Sequence, residues 1–245
     1  MQSQGYLLIA DISGYTDFIK LHSLRKKPLV GSFAARMFES HAEIIISDLL
    51  ESVIDAIEPV MQLNKLEGDA AFFYCDEVPK SNQADQIINV MQSAQSAFQK
   101  KANELLFVEA CGCEPCTQAK NLRLKMVVHN GVYMHKKIRK FEELAGEAVI
   151  FVHRLLKNSI QSDEYWLLSK EFSKQISLEK ELELREITEK IDDFGRVKLD
   201  LKLMNSENPR NETITKRSRI FNWLLQASYF SRATIHRTFT KNKAN

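Results

Sequence analysis

The sequence predicts an α/β fold, an α+β sandwich in which long helices flank a mostly antiparallel sheet. Three observations carry this. Short apolar runs of strand length are punctuated by turn residues, two long segments repeat apolar residues at three- and four-residue intervals, and the two kinds of segment follow one another as β-α-α-β-β-α-β-β-α-β-β. No internal repeat is present.

The first strand is Leu7 to Ala10, four apolar residues without alternation, as expected where both faces of a strand are covered. A buried helix shares that pattern, but the length of the run and the turn after it favour a strand. Asp11 stands at its end. Ser13, Gly14, Tyr15 and Thr16 then open a turn whose N–H groups and hydroxyls suit an anion or its metal; alternatively Asp11 caps the next helix. Phe18, Ile19 and Leu21 continue as a short helix that stops by Lys26, Lys27 and Pro28. From Leu29 to Ile57 the residues Phe33, Met37, Ile44, Ile45, Leu49, Val53 and Ile57 form one buried stripe on a long helix, closed by Pro59.

Val60–Lys65 and Ala70–Cys75 read as two strands joined through Glu67, Gly68 and Asp69, which puts Asp69 at a strand tip as well. Gln83 to Val108 is a second amphipathic helix, through Ile87, Val90, Met91, Ala94, Phe98 and Leu105. Leu122–Val128 alternates like a strand, and Asn130–Gly131 after His129 looks like a hairpin turn into Val132–His135. Basic residues crowd the connection from Lys136 to Lys140, read as a solvated loop whose charge suits steering of an anion. Gly146–Lys157 is helical and contains His153 and Arg154, Tyr165–Leu168 is a short strand, and Leu182–Ile187 and Val197–Leu203 meet at a turn of Asp192, Asp193, Phe194 and Gly195. His129 and His153 are expected to be satisfied residues of the core.

At 245 residues, 44% hydrophobic and 27% charged, the chain can bury a sizeable core. It carries no long apolar run and no basic, cleavable N-terminal segment, so the expected compartment is the cytoplasm, and no nucleic-acid partner is expected. The net charge of +2 is uneven: Arg210 to Asn245 holds eight Lys or Arg against one Glu, 8 − 1 = +7, leaving 2 − 7 = −5 for the rest. Residues 1–204 are read as one domain with a Cys-rich insert at 109–119, residues 205–215 as a linker, and 216–240 as a basic amphipathic helix. That helix sets Ile220, Trp223, Leu224, Ala227, Phe230, Ile235 and Phe239 among arginines. Packing on its own domain or a dimer mate is favoured, with membrane association as the runner-up.

Cys111, Cys113 and Cys116 place three thiols within a turn containing Gly112 and Pro115, which either binds a structural Zn²⁺, with Cys75, a histidine or a second subunit completing it, or carries free, redox-active thiols. Two carboxylates at strand ends, Asp11 and Asp69, are the minimum set for holding divalent cations at a phosphate.

ADISGYT at Ala10–Thr16 and KLEGDAAF at Lys65–Phe72 resemble the two metal-site signatures of the class III nucleotide cyclases. VVHNG at Val127–Gly131 resembles their His-x-Gly strand, and GEAVIFVHRLL at Gly146–Leu156 their Gly-x-x-Val-Asn-x-x-x-Arg-Leu helix. In order, the four motifs cover roughly residues 5 to 203, most like an uncharacterised bacterial family of cyclase-like domains. The resemblance implies a ferredoxin-like cyclase fold that dimerises head to tail with nucleotide between subunits. Asp11 and Asp69 would bind two Mg²⁺ or Mn²⁺ ions, helped by the Ile12 carbonyl. Lys65 and Glu143 would recognise the base, with adenine and hence ATP favoured, and Arg154 would stabilise the transition state. Two departures stand out. Ile150 replaces the ribose-orienting asparagine, and Asp192 and Asp193 replace a phosphate-binding lysine turn that Lys190 or Arg196 would have to supply. The expectation is a nucleotide- and metal-binding signalling domain without efficient cyclisation. An active adenylate cyclase and a non-catalytic dimerisation scaffold are the alternatives.

Overall fold

The computed structural model describes residues 2–15, 32–111, 119–177, 182–204 and 219–243. They fall into two compact units, one of Met1–Ser13, Ser52–Phe98 and Arg123–Ser206, the other of Gly14–Glu51, Gln99–Leu122 and Glu207–Asn245.

The first unit is built on an eight-stranded sheet. Its strands are β1 (Gln2–Ser13), β2 (Gln62–Glu67), β3 (Ala70–Asp76), β4 (Arg123–Ile138), β5 (Phe141–Ala145), β6 (Tyr165–Ser169), β7 (Arg185–Ile191) and β8 (Gly195–Leu203). They lie in the order β2-β3-β1-β4-β6-β8-β7, with β5 paired to β4. Among the described residues only β4 and β6 pair in parallel. The apolar run of β1 has the cause inferred for it: Tyr6 to Ala10 are buried on both faces.

Alternation then sorts the site from the core. Leu7, Ile9 and Asp11 share one face of β1, opposite Tyr74, Phe72 and Ala70 of β3 and opposite His129, Val127 and Lys125 of β4. Helix α3 (Glu147–Leu155) lays Ala148, Phe151, Val152 and Leu155 on that face, in one cluster with Leu7, Ile9, Phe72, Val127 and Leu167. Each such side chain taken out of water contributes about 1.5–3 kcal/mol. Because the core stops at Ile9, the next residue on that face, Asp11, comes to the rim. Helix α4 (Lys170–Ser173) is capped by the Ser169 hydroxyl, which accepts from the Phe172 N–H.

Helix α1 (Ser32–Ile57) and helix α2 (Gln83–Glu104) run from one unit into the other. Within the first unit α2 buries Ala84, Ile87, Ile88, Met91, Ala94 and Phe98, and its Gln95 side chain donates to the buried Glu164 at the entrance to β6. In the second unit α1 buries Ile44, Ile45, Leu49 and Leu50, and helix α5 (Arg219–Lys243) stacks Phe230 on His41 with ring centroids 3.6 Å apart. Tyr229 donates to Asp48 Oδ2 at 2.6 Å and meets Phe107 edge-on.

Several expected boundaries change. The Asn130–Gly131 pair is not a turn: β4 passes through it without a break, because β1 pairs with β4 over twelve residues from Gln2↔Met134 to Ser13↔Arg123. Gly131 is needed for a different reason, since a Cβ there would stand 2.8 Å from the Ala148 Cβ of α3. The hairpin turn lies at Arg139 and Lys140 instead, so Lys136 and Lys137 belong to a strand and not to a loop. Helix α2 ends at Glu104, and the chain continues as a 3₁₀ helix, Leu105–Cys111. The final hairpin pairs Arg185–Ile191 with Gly195–Leu203 about the expected turn. The short helix expected around Phe18–Leu21 and the linker 205–215 lie outside the described residues.

Candidate functional site

Two side-chain clusters stand on the β1 face of the sheet that carries α3. The first gathers at the end of β1. The β2–β3 turn, with Gly68 at φ 69°, folds back so that the Ile12 N–H donates to the Asp69 carbonyl at 3.1 Å. This joins the tip of the hairpin to β1 beside Asp11. Burial and the negative charge of Asp11 push the Asp69 carboxyl up to about 6. Lys125, opposite Asp11 in the register, closes a 2.8 Å ion pair to Asp11 Oδ2. Burial works against that ammonium, but the hydrogen bond and charge of Asp11 prevail and raise its pKa. The buried Tyr165 hydroxyl accepts from Asn158 at 2.7 Å on the same face.

The donor set suits a hard divalent cation. Two carboxylates meet where neither is fully hydrated, and one ammonium balances only part of their charge. Among the described residues, no group of three or more His, Cys, Asp or Glu side chains is spaced to hold a metal, so the protein would supply Asp11 and Asp69 and leave the remaining positions to other oxygens. Ile12 is wholly buried within β1. Ser13 is also buried and still in the strand, paired with Arg123, while Gly14 at φ 90° begins the turn and Tyr15 the next helical residue. Thr16 lies outside the described residues.

The second cluster is centred on Lys65 in β2. Its ammonium is 3.0 Å from Glu67 Oε1 and 3.4 Å from Glu143 Oε2 in β5. His153 of α3 bonds Glu67 Oε2 through Nε2 at 3.1 Å and the Val149 carbonyl through Nδ1 at 2.7 Å. Burial opposes the ionisation of Glu67, but Lys65 and His153 together hold its pKa below the usual carboxylate range. One residue further along α3, Arg154 pairs with Asp193 Oδ2 at 3.1 Å, in the β7–β8 turn. Ile150 stands exposed on the same helix and offers no polar atom beyond its backbone.

The structure sets Lys65 3.4 Å from Glu143 and brings Asp69 within the charge of Asp11. Three participants were missed. Lys125 reads as one more member of an alternating strand, Glu67 reads as a turn residue, and His153 is half-buried and paired with Glu67 where a core position is expected. His129 does behave as a core residue: it is buried, hydrogen-bonded to the Ser169 hydroxyl at 2.8 Å, and burial pushes its pKa down to about 4. Cys113 and Cys116 lie outside the described residues, as does the side chain of Cys111. Cys75 is buried in β3, where burial pushes its thiol up to about 12 and so disfavours the thiolate that a metal requires.

Comparison with known proteins agrees with this architecture. Residues 46–165 match a family model described as a protein of unknown function, DUF2652. An uncharacterised protein of Mycobacterium tuberculosis, Rv2561/Rv2562, is 38% identical over 124 residues, 51% of this chain and 57% of the relative, so the chain spans little more than half of that protein. Among solved structures, the adenylyl cyclase CyaB of P. aeruginosa superposes with a TM-score of 0.57 at 10% identity, over 85% of this chain and 97% of that one. The guanylate cyclase domain of RhGC from Catenaria anguillulae, solved with GTP, gives 0.56 at 9% identity, over 82% and 97%. The fold of this chain is that of the class III nucleotide cyclases. No described helix is long and apolar enough to cross a membrane.

Proposed function

We propose that the first unit binds a purine nucleoside triphosphate, ATP by preference, together with Mg²⁺ or Mn²⁺, and that it does so without efficient cyclisation, as a regulatory or signalling module. One observation carries the reading: Asp69 feels the charge of Asp11 at the rim of the sheet and Lys125 is ion-paired to Asp11, an anionic pair matched to a metal cation beside an ammonium matched to phosphate. A bound divalent ion would neutralise the triphosphate and acidify a ribose hydroxyl. Lys65 and Glu143 present a donor and an acceptor to the edge of a base, and the exocyclic amine of adenine suits Glu143. Nucleotides seen with a cyclase of the same fold, GTP in the Catenaria domain, support a triphosphate as the ligand class.

The same unit explains why chemistry would be slow. Ile150 cannot orient a ribose, and the Arg154 guanidinium is engaged by Asp193 where a lysine would serve a triphosphate better. Exposed Val132, Met134, Ile138 and Phe141 along the β4–β5 hairpin support a second copy of the chain as the partner that completes the site.

Titrating ATP with and without Mn²⁺ tests the reading. Affinity should rise with the metal and fall about 10- to 100-fold in Asp11→Ala, Asp69→Ala protein, the loss expected for removing charge-assisted contacts. Metal-independent affinity, or none at all, would overturn it. Appearance of cyclic AMP under the same conditions would move the domain to the enzyme class.

A further inference from the structure

The charge and the apolar surface of α5 are not absorbed by the site. Phe230 and Trp223 are seven residues apart and therefore on nearly the same side of the helix, yet Phe230 is 7% exposed and Trp223 is 59% exposed. Leu224 beside it is 53% exposed. The packing that buries Gln226 and Phe230 thus stops short of Trp223, while Leu224, about 200° round the helix from Gln226, faces away from it, and both side chains stand in water. The helix holds Arg219, Arg232, Arg237, Lys241 and Lys243 and no acidic residue. With Arg210, Lys216 and Arg217 ahead of it the segment reaches +7 against −5 for the rest of the chain.

We propose that this end of α5 docks on an anionic membrane surface, with Trp223 and Leu224 entering the interface and the flanking basic residues meeting lipid phosphates. Charge decides between occupants. A second copy would bring an equally basic helix to the same place, whereas an anionic bilayer attracts the +7 segment and repels the −5 remainder, which orients the protein helix first. Tryptophan suits the headgroup level because its ring is apolar and its N–H polar.

The chain supplies its own reporter. Its two tryptophans are Trp166, which is buried, and Trp223. With vesicles of equal parts phosphatidylglycerol and phosphatidylcholine at low ionic strength, emission should shift to the blue and protein should co-sediment; pure phosphatidylcholine should give neither, and added salt should release the protein. Trp223→Phe should still bind while losing the shift. A Trp223→Ser, Leu224→Ser variant should bind at least about thirtyfold more weakly, and Arg217→Glu, Arg219→Glu about tenfold or more. No association with anionic vesicles, or undiminished association of the serine variant, would overturn the proposal. So would a blue shift without vesicles that grows with protein concentration, which would assign the face to a second copy.

Discussion

The two clusters of the first unit differ in how their charge is balanced. At the end of β1, two carboxylates share one ammonium, and the surplus shows in Asp69, whose proton is held up to about 6. At the other cluster every charged group is answered within the protein: Lys65 by Glu67 and Glu143, Glu67 by His153, Arg154 by Asp193. An unbalanced cluster keeps affinity for an external cation, while a balanced one must break an internal pair before it can serve a ligand. On the proposed function, the first would recruit the metal, and the second would have to give up an internal pair to serve a nucleotide.

The largest effect expected from unbalancing the second cluster is catalytic. Ile150→Asn with Asp193→Lys supplies a ribose-orienting amide, releases Arg154, and puts a cation where a carboxylate stood. Positioning and charge-stabilising groups are worth about 100- to 1,000-fold each. The double variant with ATP and Mn²⁺ should therefore make cyclic nucleotide at least 100-fold faster than the parent, read by chromatography of the product. An unchanged rate would place the deficit outside these two residues.

Proton linkage distinguishes the unbalanced cluster from the core behind it. Asp69 titrates at about 6 against 3.8 for an ordinary Asp, so between those values the folded state keeps a proton the unfolded state has lost, and stability falls as pH rises. His129 titrates at about 4 against 6.5, so over nearly the same range the unfolded state takes up a proton the folded state refuses, and stability falls as pH drops. In metal-free buffer the two slopes oppose, so the parent should change less than either group alone would make it. Asp69→Asn removes one of them. That variant should lose about 2–3 kcal/mol between pH 6.5 and 4, measured by urea midpoints; a flat profile would mean that His129 is not held neutral.

How far these clusters could be read from sequence depends on the kind of signal each residue leaves. Asp11 and Asp69 each sit where an apolar run meets a glycine turn, so local order alone marks them as strand-end carboxylates. Glu143 and Arg154 are recognisable only through resemblance, while Glu67 and Asp193, which pair with Lys65 and Arg154, stand in segments that read as turns. Lys125 is silent because a lysine in an alternating strand reads as a solvated face, and only the β1–β4 register sets it against Asp11. The misplaced turn at Asn130–Gly131 has the same origin: a dipeptide favourable to turns was outweighed by a continuous ladder and by a helix that needs a residue without a Cβ. Helix α5 was legible as amphipathic, but its stripe is covered at Phe230 and uncovered at Trp223, a difference set by where the packing ends.

Lys125→Met sharpens the contrast from within the first cluster. With no ammonium beside Asp11, metal-free protein should lose about 1–3 kcal/mol, the range for an ion-paired hydrogen bond that is partly withdrawn from water. Mn²⁺ alone should bind more tightly, because its competitor for the carboxylates is gone, while ATP in the presence of Mn²⁺ should bind more weakly. Calorimetry with the two ligands separates these effects. If metal and nucleotide affinities fell together, Lys125 would be acting only as a structural strut.

The smallest effect belongs to the balanced cluster and is informative for that reason. Arg154 and Asp193 form a surface pair with side chains 34% and 69% exposed, and such pairs contribute about 0–1 kcal/mol. Asp193→Asn should therefore leave the urea midpoint almost unmoved. What changes is the guanidinium: no longer neutralised, it should raise ATP affinity a few-fold, with the gain fading at high salt as the freed charge is screened. A stability loss well above 1 kcal/mol would mean that the pair holds the β7–β8 turn to α3, and that Arg154 has been given over to the fold.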